Sequence, residues 1–405
     1  MPDENPLADS RYMGGARAQI PLRITPEFIA CATYHIDRID ANLGYQAAQR
    51  HRAAHRWARA GNDGEYVWMT VAGAATPTGF GGLFADLIAN GNVDAIISTG
   101  ANVYHDLHFA CGLPVRHGHH QVDDNDLLED GTTRIYDRNI SNPYTLGSQD
   151  RIVQVLGRRV APRLQPPFSS AKLVYEIGKE LLEDKTGLVV DRKGSFVVRA
   201  AEFGVPVYLD SGSNHSLGMG LSALRYEGLN LDSSPSEDDI ETAALAFHME
   251  PHLFVFLGEG GPRNLGQTSA PTVSEIFFIP YKGAGGCIRF TVADVRAGAL
   301  SGSDEAEAVT WKKYPTADPR REIVPWAEYT LTFPDVAGYV VGQGLLPHRR
   351  LFDQLPEIRA AFDELVRQNE PRRKEEQKRL ERLLPFIQKH EVDARKAAGY
   401  LFEGD

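Results

Sequence analysis

Cysteine is scarce: only Cys31, Cys111 and Cys287 occur in 405 residues, an odd number with no CxxC pair. That excludes a disulfide framework and argues against a zinc ribbon. No apolar run approaches the ~20 residues that span a bilayer, so no transmembrane helix is expected. The opening residues, MPDENPLADSRYMGG, lack the apolar segment of a signal peptide. Positive charge is in the minority, with 43 Lys and Arg against 54 Asp and Glu, a net −11. Such a body repels phosphates and anionic lipids and attracts cations. Nucleic-acid and membrane partners are therefore not expected, and a cytoplasmic location is. GxSxG, HExxH, the P-loop and the EF-hand loop are missing, so serine hydrolase, zincin, P-loop NTPase and calcium-sensor readings gain no support.

What is present suits a globular fold. Apolar residues make up 42% and charged residues 24%, enough for a sizeable core without staples. Residues 1–60 read as a polar, loosely held arm to about Ile20 followed by helical spacing from Thr25 to Arg59. The basic stretch QRHRAAHRWAR inside that region could mimic a nucleic-acid patch, but reads better as a solvated or interfacial helix.

Short apolar strands then alternate with helices. Tyr66–Val71, Val93–Ser98, Pro206–Leu209, Leu253–Leu257, Cys287–Ala293 and Ile323–Ala327 read as strands. Leu83–Ala89, Ser195–Phe203 and Asp238–His248 read as helices. Nearly continuous apolar strands indicate burial on both faces of a parallel sheet. The fold expected is α/β: a Rossmann-like, doubly wound, mostly parallel sheet with helices on both faces. Pro325 marks the last strand as an edge or irregular strand. Residues 117–193 read as a decorated excursion. Residues 346–405 read as a C-terminal helical extension, with Pro385 kinking or ending the charged helix after Pro371.

Three stretches could carry chemistry. The turns ISTGAN (Ile97–Asn102) and FLGEGG (Phe256–Gly261) each follow a strand, where ligands bind in such sheets. Neither matches GxGxxG, so each alone reads as plain turn chemistry, while the two together support a nucleotide-type ligand. His105, His108, His117, His119 and His120 cluster, and read as a polar loop or, for one of them, a substrate or cofactor contact, in preference to a metal site, and no metal is expected. The third is SGSDEAEAVTWKKY (Ser301–Tyr314). Ser303 and Asp304 are natural N-caps, and Glu307 and Trp311 share a helix face. A lysine beside an indole and a second ammonium loses its proton more easily, which makes it a nucleophile toward carbonyls and imines. The same residues also fit a capped helix with a surface lysine pair.

At these residues the sequence resembles the deoxyhypusine synthase family, most closely its bacterial deoxyhypusine synthase-like branch, which includes homospermidine-forming enzymes. The resemblance runs over about residues 67–337 and rests on VDAIISTGANVYHD, FGVPVYLDSGSNHSLG, FLGEGGPRN and SGSDEAEAVTWKKY. It implies a Rossmann-like domain over residues 61–345 that binds NAD without the usual fingerprint. It implies Lys313 as the catalytic lysine, with Lys312 intervening. Trp311, Glu307, Asn264 and Asp304 are the implied substrate contacts. Thr99, Gly100, Ala101, His105, Gly258, Gly260 and Glu328 are the implied cofactor contacts. The implied activity is NAD-dependent aminobutyl transfer between polyamines through a lysine imine. The product would be homospermidine from putrescine or spermidine, or a guanidino analogue from agmatine. The alternatives are modification of a protein lysine and a non-catalytic binding protein. Family members are homotetramers with active sites between subunits, which sets the same expectation here. Four departures from the eukaryotic pattern stand out: Ala72-Gly73-Ala74 in place of Thr-Ser-Asn, Asn264 in place of a histidine, His105 in place of a glutamate, and Gly298-Ala299-Leu300 near the place of an acidic pair.

Overall fold

In a computed structural model, the described residues are 5, 7–316, 318 and 320–397. Helices α1 (Pro26–Tyr34) and α2 (Tyr45–Asn62) precede strand β1 (Tyr66–Val71), helix α3 (Gly81–Ala89), strand β2 (Ala95–Ser98) and helix α4 (Gly100–Ala110). The excursion holds β3 (Val115–His117), α5 (Asp124–Asp130), β4 (Thr132–Ile135), β5 (Arg138–Ser141), α6 (Gly147–Val160) and α7 (Ser170–Glu183). Then follow α8 (Phe196–Phe203), β6 (Val207–Leu209), α9 (Ser216–Ser222), α10 (Pro235–His248), β7 (His252–Leu257) and α11 (Gly261–Pro271). The chain closes with β8 (Gly286–Phe290), α12 (Glu305–Thr310), β9 (Glu322–Ile323), α13 (Tyr329–Gly342) and α14 (Leu351–Ala397).

The main sheet has six parallel strands in the order β6-β2-β1-β7-β8-β9. The chain runs outward from β1 in one direction, then returns to β7 and runs outward in the other. The switch point therefore lies between β1 and β7, where doubly wound folds bind ligands. Successive strand residues face opposite sides. Val67, Met69 and Val71 join one core with Leu253, Val255 and Leu257. Trp68 joins the other with Phe254 and Phe256. The first core also takes Trp57 of α2, Phe84 of α3 and Phe333 of α13, and the second takes residues of α10 and α14. Hence both faces are covered and the strands carry no polar alternation.

Local signals set the helix ends. Thr25 and Ser234 cap α1 and α10, each followed by proline in the first turn. Thr99 caps α4 by accepting from the Asn102 N–H.

Four expectations need correction. The arm to Ile20 is docked: Met13 is buried, and Asp130 accepts from Ser10 Oγ (2.7 Å) and the Arg11 N–H (2.9 Å). The excursion contains an antiparallel sheet in the order β3-β5-β4, too short and too polar to show an alternating pattern. The strand expected over Cys287–Ala293 stops at Phe290, and that over Ile323–Ala327 shrinks to Glu322–Ile323 with one bridge from Thr291 to Trp326. Pro385 does not end its helix. α14 continues through Pro356, Pro371 and Pro385, while its buried residues are confined to Leu351, Leu355, Ile358 and Phe362. No helix among the described residues is long and apolar enough to cross a membrane.

Candidate active site

Five strands finish on one row. Leu209, Ser98, Val71, Leu257 and Phe290 are register partners across the sheet. The next residues, Asp210, Thr99, Ala72, Gly258 and Thr291, form its carboxyl edge. Gly258 (φ +62°) and Gly260 (φ +79°) lie in the left-handed region that disfavours a side chain. A Cβ on Gly260 would meet open space, and one on Gly258 would touch Ala72 and Tyr329. Gly100 starts α4 beneath the His215 ring, so no side chain fits there either. Of the expected cofactor contacts, Thr99, Gly100, Ala101, Gly258 and Gly260 thus share this edge. Glu328 caps α13 by accepting from the Thr330 N–H (2.9 Å) and is exposed. His105 is turned to His108, Nδ1 to Nε2 at 3.0 Å, and burial pushes it down to about 4.

Helix α11 springs from the Gly258–Gly260 turn and carries Asn264 and Gln267 toward Lys313. Asp304 caps α12 by accepting from the Glu307 N–H at 2.8 Å. The helix ends in a left-handed turn, in which the Lys312 N–H donates to Val309 O (2.9 Å) and the Lys313 N–H to Ala308 O (3.1 Å). Lys312 takes the left-handed position at φ +57°, a place glycine usually fills. Its side chain pairs with Glu275 at 2.9 Å. Lys313 instead turns inward, and its Nζ donates to Asn264 Oδ1 and Gln267 Oε1, each at 3.5 Å. Gln267 is itself fixed by its Nε2, which donates to the buried Tyr314 hydroxyl at 3.0 Å.

Burial lowers the Lys313 pKa from its ordinary 10.5, Arg263 lowers it further, and Glu307 opposes both. The second cation is therefore Arg263 and not Lys312, which corrects the sequence reading. Arg263 belongs to a buried chain of charges. Its Nη1 meets Glu259 Oε2 at 2.9 Å, and Arg289 Nε meets the other Glu259 oxygen at 2.7 Å. Arg289 also pairs with Glu322. Arg263 Nη2 donates to Ser303 O at 2.7 Å, which pins the turn before α12.

Asn264, Glu307, Trp311 and Lys313 line one cavity of about 510 Å³, with Ser303 and an apolar wall from Val295 to Leu300. Asp304 borders the neighbouring opening beside Trp326. Four of the five expected substrate-site residues therefore converge. Glu307 is the one carboxylate in the lining and Lys313 the one amine. Trp311 is 59% exposed, and Val295 and Leu300 are also exposed. Sequence reasoning missed Gln267, Arg263 and Glu259. Arg263 and Glu259 stand four apart in FLGEGGPRN, a spacing that signals an ion pair.

The Deoxyhypusine synthase family profile matches residues 36–340. A "Deoxyhypusine synthase-like protein" of Nostoc sp. is 35% identical over 302 residues, 73% of this chain and 78% of that protein. One of Cyanothece sp. is 32% identical over 85% of this chain and 88% of its own length. A third, from Chlorobaculum tepidum, is 32% identical over 74% of this chain and 83% of its own.

Proposed function

Because the chain belongs to the deoxyhypusine synthase family, whose members are NAD-dependent aminobutyl transferases, we propose that it moves an aminobutyl group between small amines through an imine on Lys313. The products are homospermidine or, from agmatine, a guanidino analogue. The observation that carries this reading is the half-buried Lys313 Nζ, held 3.5 Å from two amide oxygens at the wall of a cavity with one carboxylate.

The carboxyl edge of the sheet suits NAD. Strand ends meet there on one row, and open space at Gly260 lets backbone amides approach a pyrophosphate. Thr99, Gly100, Ala101, Gly258 and Gly260 would hold it. Bound there, NAD would supply reversible hydride chemistry at the carbon beside the donor nitrogen.

The chain's own residues supply the remainder. Depressed basicity gives Lys313 a free lone pair for attack on the oxidised donor carbon. The Nζ–carbon bond forms as the donor's remaining amine leaves, and the aminobutyl group stays on the lysine as an imine. Attack by the acceptor amine then releases the lysine. Glu307 attracts the cationic end of the chain, and the Trp311 indole can cover it by cation–π contact worth roughly 0.5–2 kcal/mol. The two amide oxygens accept only N–H bonds, which orients the lone pair away from α11. The exposed apolar rim of Val295, Leu300 and Trp311 supports cover of the cavity by a second subunit, as a homotetramer would provide.

Reduction with borohydride in the presence of NAD and putrescine tests the reading. A modified peptide containing Lys313 is the expected result. Modification confined to other lysines would refute the assignment. Mass spectrometry with putrescine, spermidine and agmatine as substrates separates the products, and label transfer to a protein lysine would favour protein modification instead.

A further inference from the structure

A third opening, of about 590 Å³, lies between α2 and β9. Its α2 wall is the basic stretch that amine transfer leaves unused, including His51, Arg52, His55 and Arg59. His51 and His55 are four residues apart, so both rings leave one helix face, with centroids 4.3 Å apart. Asp37, in the π turn His35–Ile39 that follows α1, brings Oδ1 to 2.9 Å from His55 Nε2. One donor atom from each of these three residues lies within 4.8 Å of the other two. Donors around a tetrahedral zinc are roughly 3.3 Å apart, so closing the set needs side-chain shifts of about 1–2 Å.

The donors sit on a braced frame. Arg50 grips Asp40 through Nε (2.6 Å) and Nη2 (2.9 Å), and reaches Asp335 of α13 through Nη1 (3.1 Å). That one guanidinium ties the turn carrying Asp37 to the helix carrying both histidines. The Tyr339 hydroxyl lies 3.3 Å from the His55 ring. Both the Asp37 and His55 side chains keep 39% of their surface open, so an ion has a path in.

We propose that Asp37, His51 and His55 form a divalent transition-metal site with its fourth position open to the arginine-lined cavity. Two imidazoles and one carboxylate favour zinc, cobalt or nickel over magnesium or calcium. Arg52 and Arg59 make no ion pair among the described residues. They bias the open position toward an anion such as phosphate. None of the three donors lines the Lys313 cavity.

The test uses the untagged full chain after chelator treatment, titrated with Zn²⁺ by calorimetry and with Co²⁺ by visible absorption. One ion per chain is expected, with the intense bands of four-coordinate cobalt. His51→Gln and His55→Gln are each expected to lose affinity about 100-fold, and Asp37→Asn by a similar factor. All three positions are partly exposed, so the variants keep their fold. Lys313→Ala should bind zinc as the parent does. Inorganic phosphate should alter the cobalt spectrum of the parent and not that of Arg52→Gln/Arg59→Gln. Absence of zinc binding, or unchanged affinity in both histidine variants, overturns the site. A cobalt spectrum indifferent to phosphate overturns the open position.

Discussion

Replacing Arg263 with methionine tests whether the buried charges tune the lysine or merely hold the fold. The substitution removes an ion pair to Glu259 at 2.9 Å and a hydrogen bond to Ser303 O at 2.7 Å. Breaking a buried pair costs ~3–5 kcal/mol when the remaining charge has no partner. Glu259 keeps Arg289 at 2.7 Å, which places the loss at the low end. Arg263 Nε has no partner among the described residues, and its removal recovers about 1 kcal/mol. The net loss is about 2–3 kcal/mol. For a 405-residue chain with ~2.1 cal/mol/K of unfolding entropy per residue, Tm falls by about 3 °C.

The same change removes the second cause of the lowered Lys313 pKa, while burial persists. Turnover should rise with pH as Lys313 sheds its proton. In Arg263→Met the midpoint of that rise moves upward, toward the ordinary lysine value. Arg263→Lys keeps the charge and loses the forked contact, so it should lose stability without moving the midpoint. Calorimetry gives Tm, and initial rates across alkaline pH give the midpoint. A folded Arg263→Met whose midpoint is unmoved or lower refutes the electrostatic role.

Lys313→Ala should abolish turnover and leave NAD affinity nearly intact, whereas Lys312→Ala should retain turnover; equal losses in the two would contradict the geometry. Phe333→Ala empties a fully buried position between Phe80, Phe84 and Phe290, and should cost about 3–5 kcal/mol in chemical denaturation. Burial raises Asp238 to about 7, so the stability it contributes is complete below ~3.9 and is lost as pH rises through 7. Asp238→Asn keeps an acceptor for the Ser170 N–H, and should flatten the fall in stability between those limits. Gly258→Val forces a β-branched residue to φ +62° beside Ala72 and Tyr329, and should weaken NAD binding measured by calorimetry; unchanged affinity would exclude this turn from the cofactor site.

Most of the sheet was legible because its strands are apolar on both faces. Trp68 and Met69 point to different cores, yet both leave water, so the run Tyr66–Val71 announces a strand without alternation. The helix of the lysine stretch was legible through the Asp304 cap and the spacing of Glu307 and Trp311, whereas Lys313 was singled out by the family resemblance. Three things were hidden. The identity of the cation near Lys313 depends on α11, 49 residues upstream of it in the case of Asn264, and no local spacing encodes that approach. The strands β3, β4 and β5 are three or four residues long and half buried, below the length at which a period can be read. Pro371 and Pro385 of α14 lie beyond its last buried residue, Phe362, where losing one backbone hydrogen bond costs less than ending the helix, and Pro356 sits in its packed first turns.

The left-handed turn at Lys312 has an evolutionary corollary. Because the two backbone bonds count residues from Ala308 and Val309, they register position and ignore chemistry. Any side chain that tolerates that conformation can stand at 312, and glycine would be the easiest. A single codon gained or lost between Trp311 and Lys313 would instead swing the amine out of its recess. Drift along this lineage is therefore free in spelling and forbidden in length at this point.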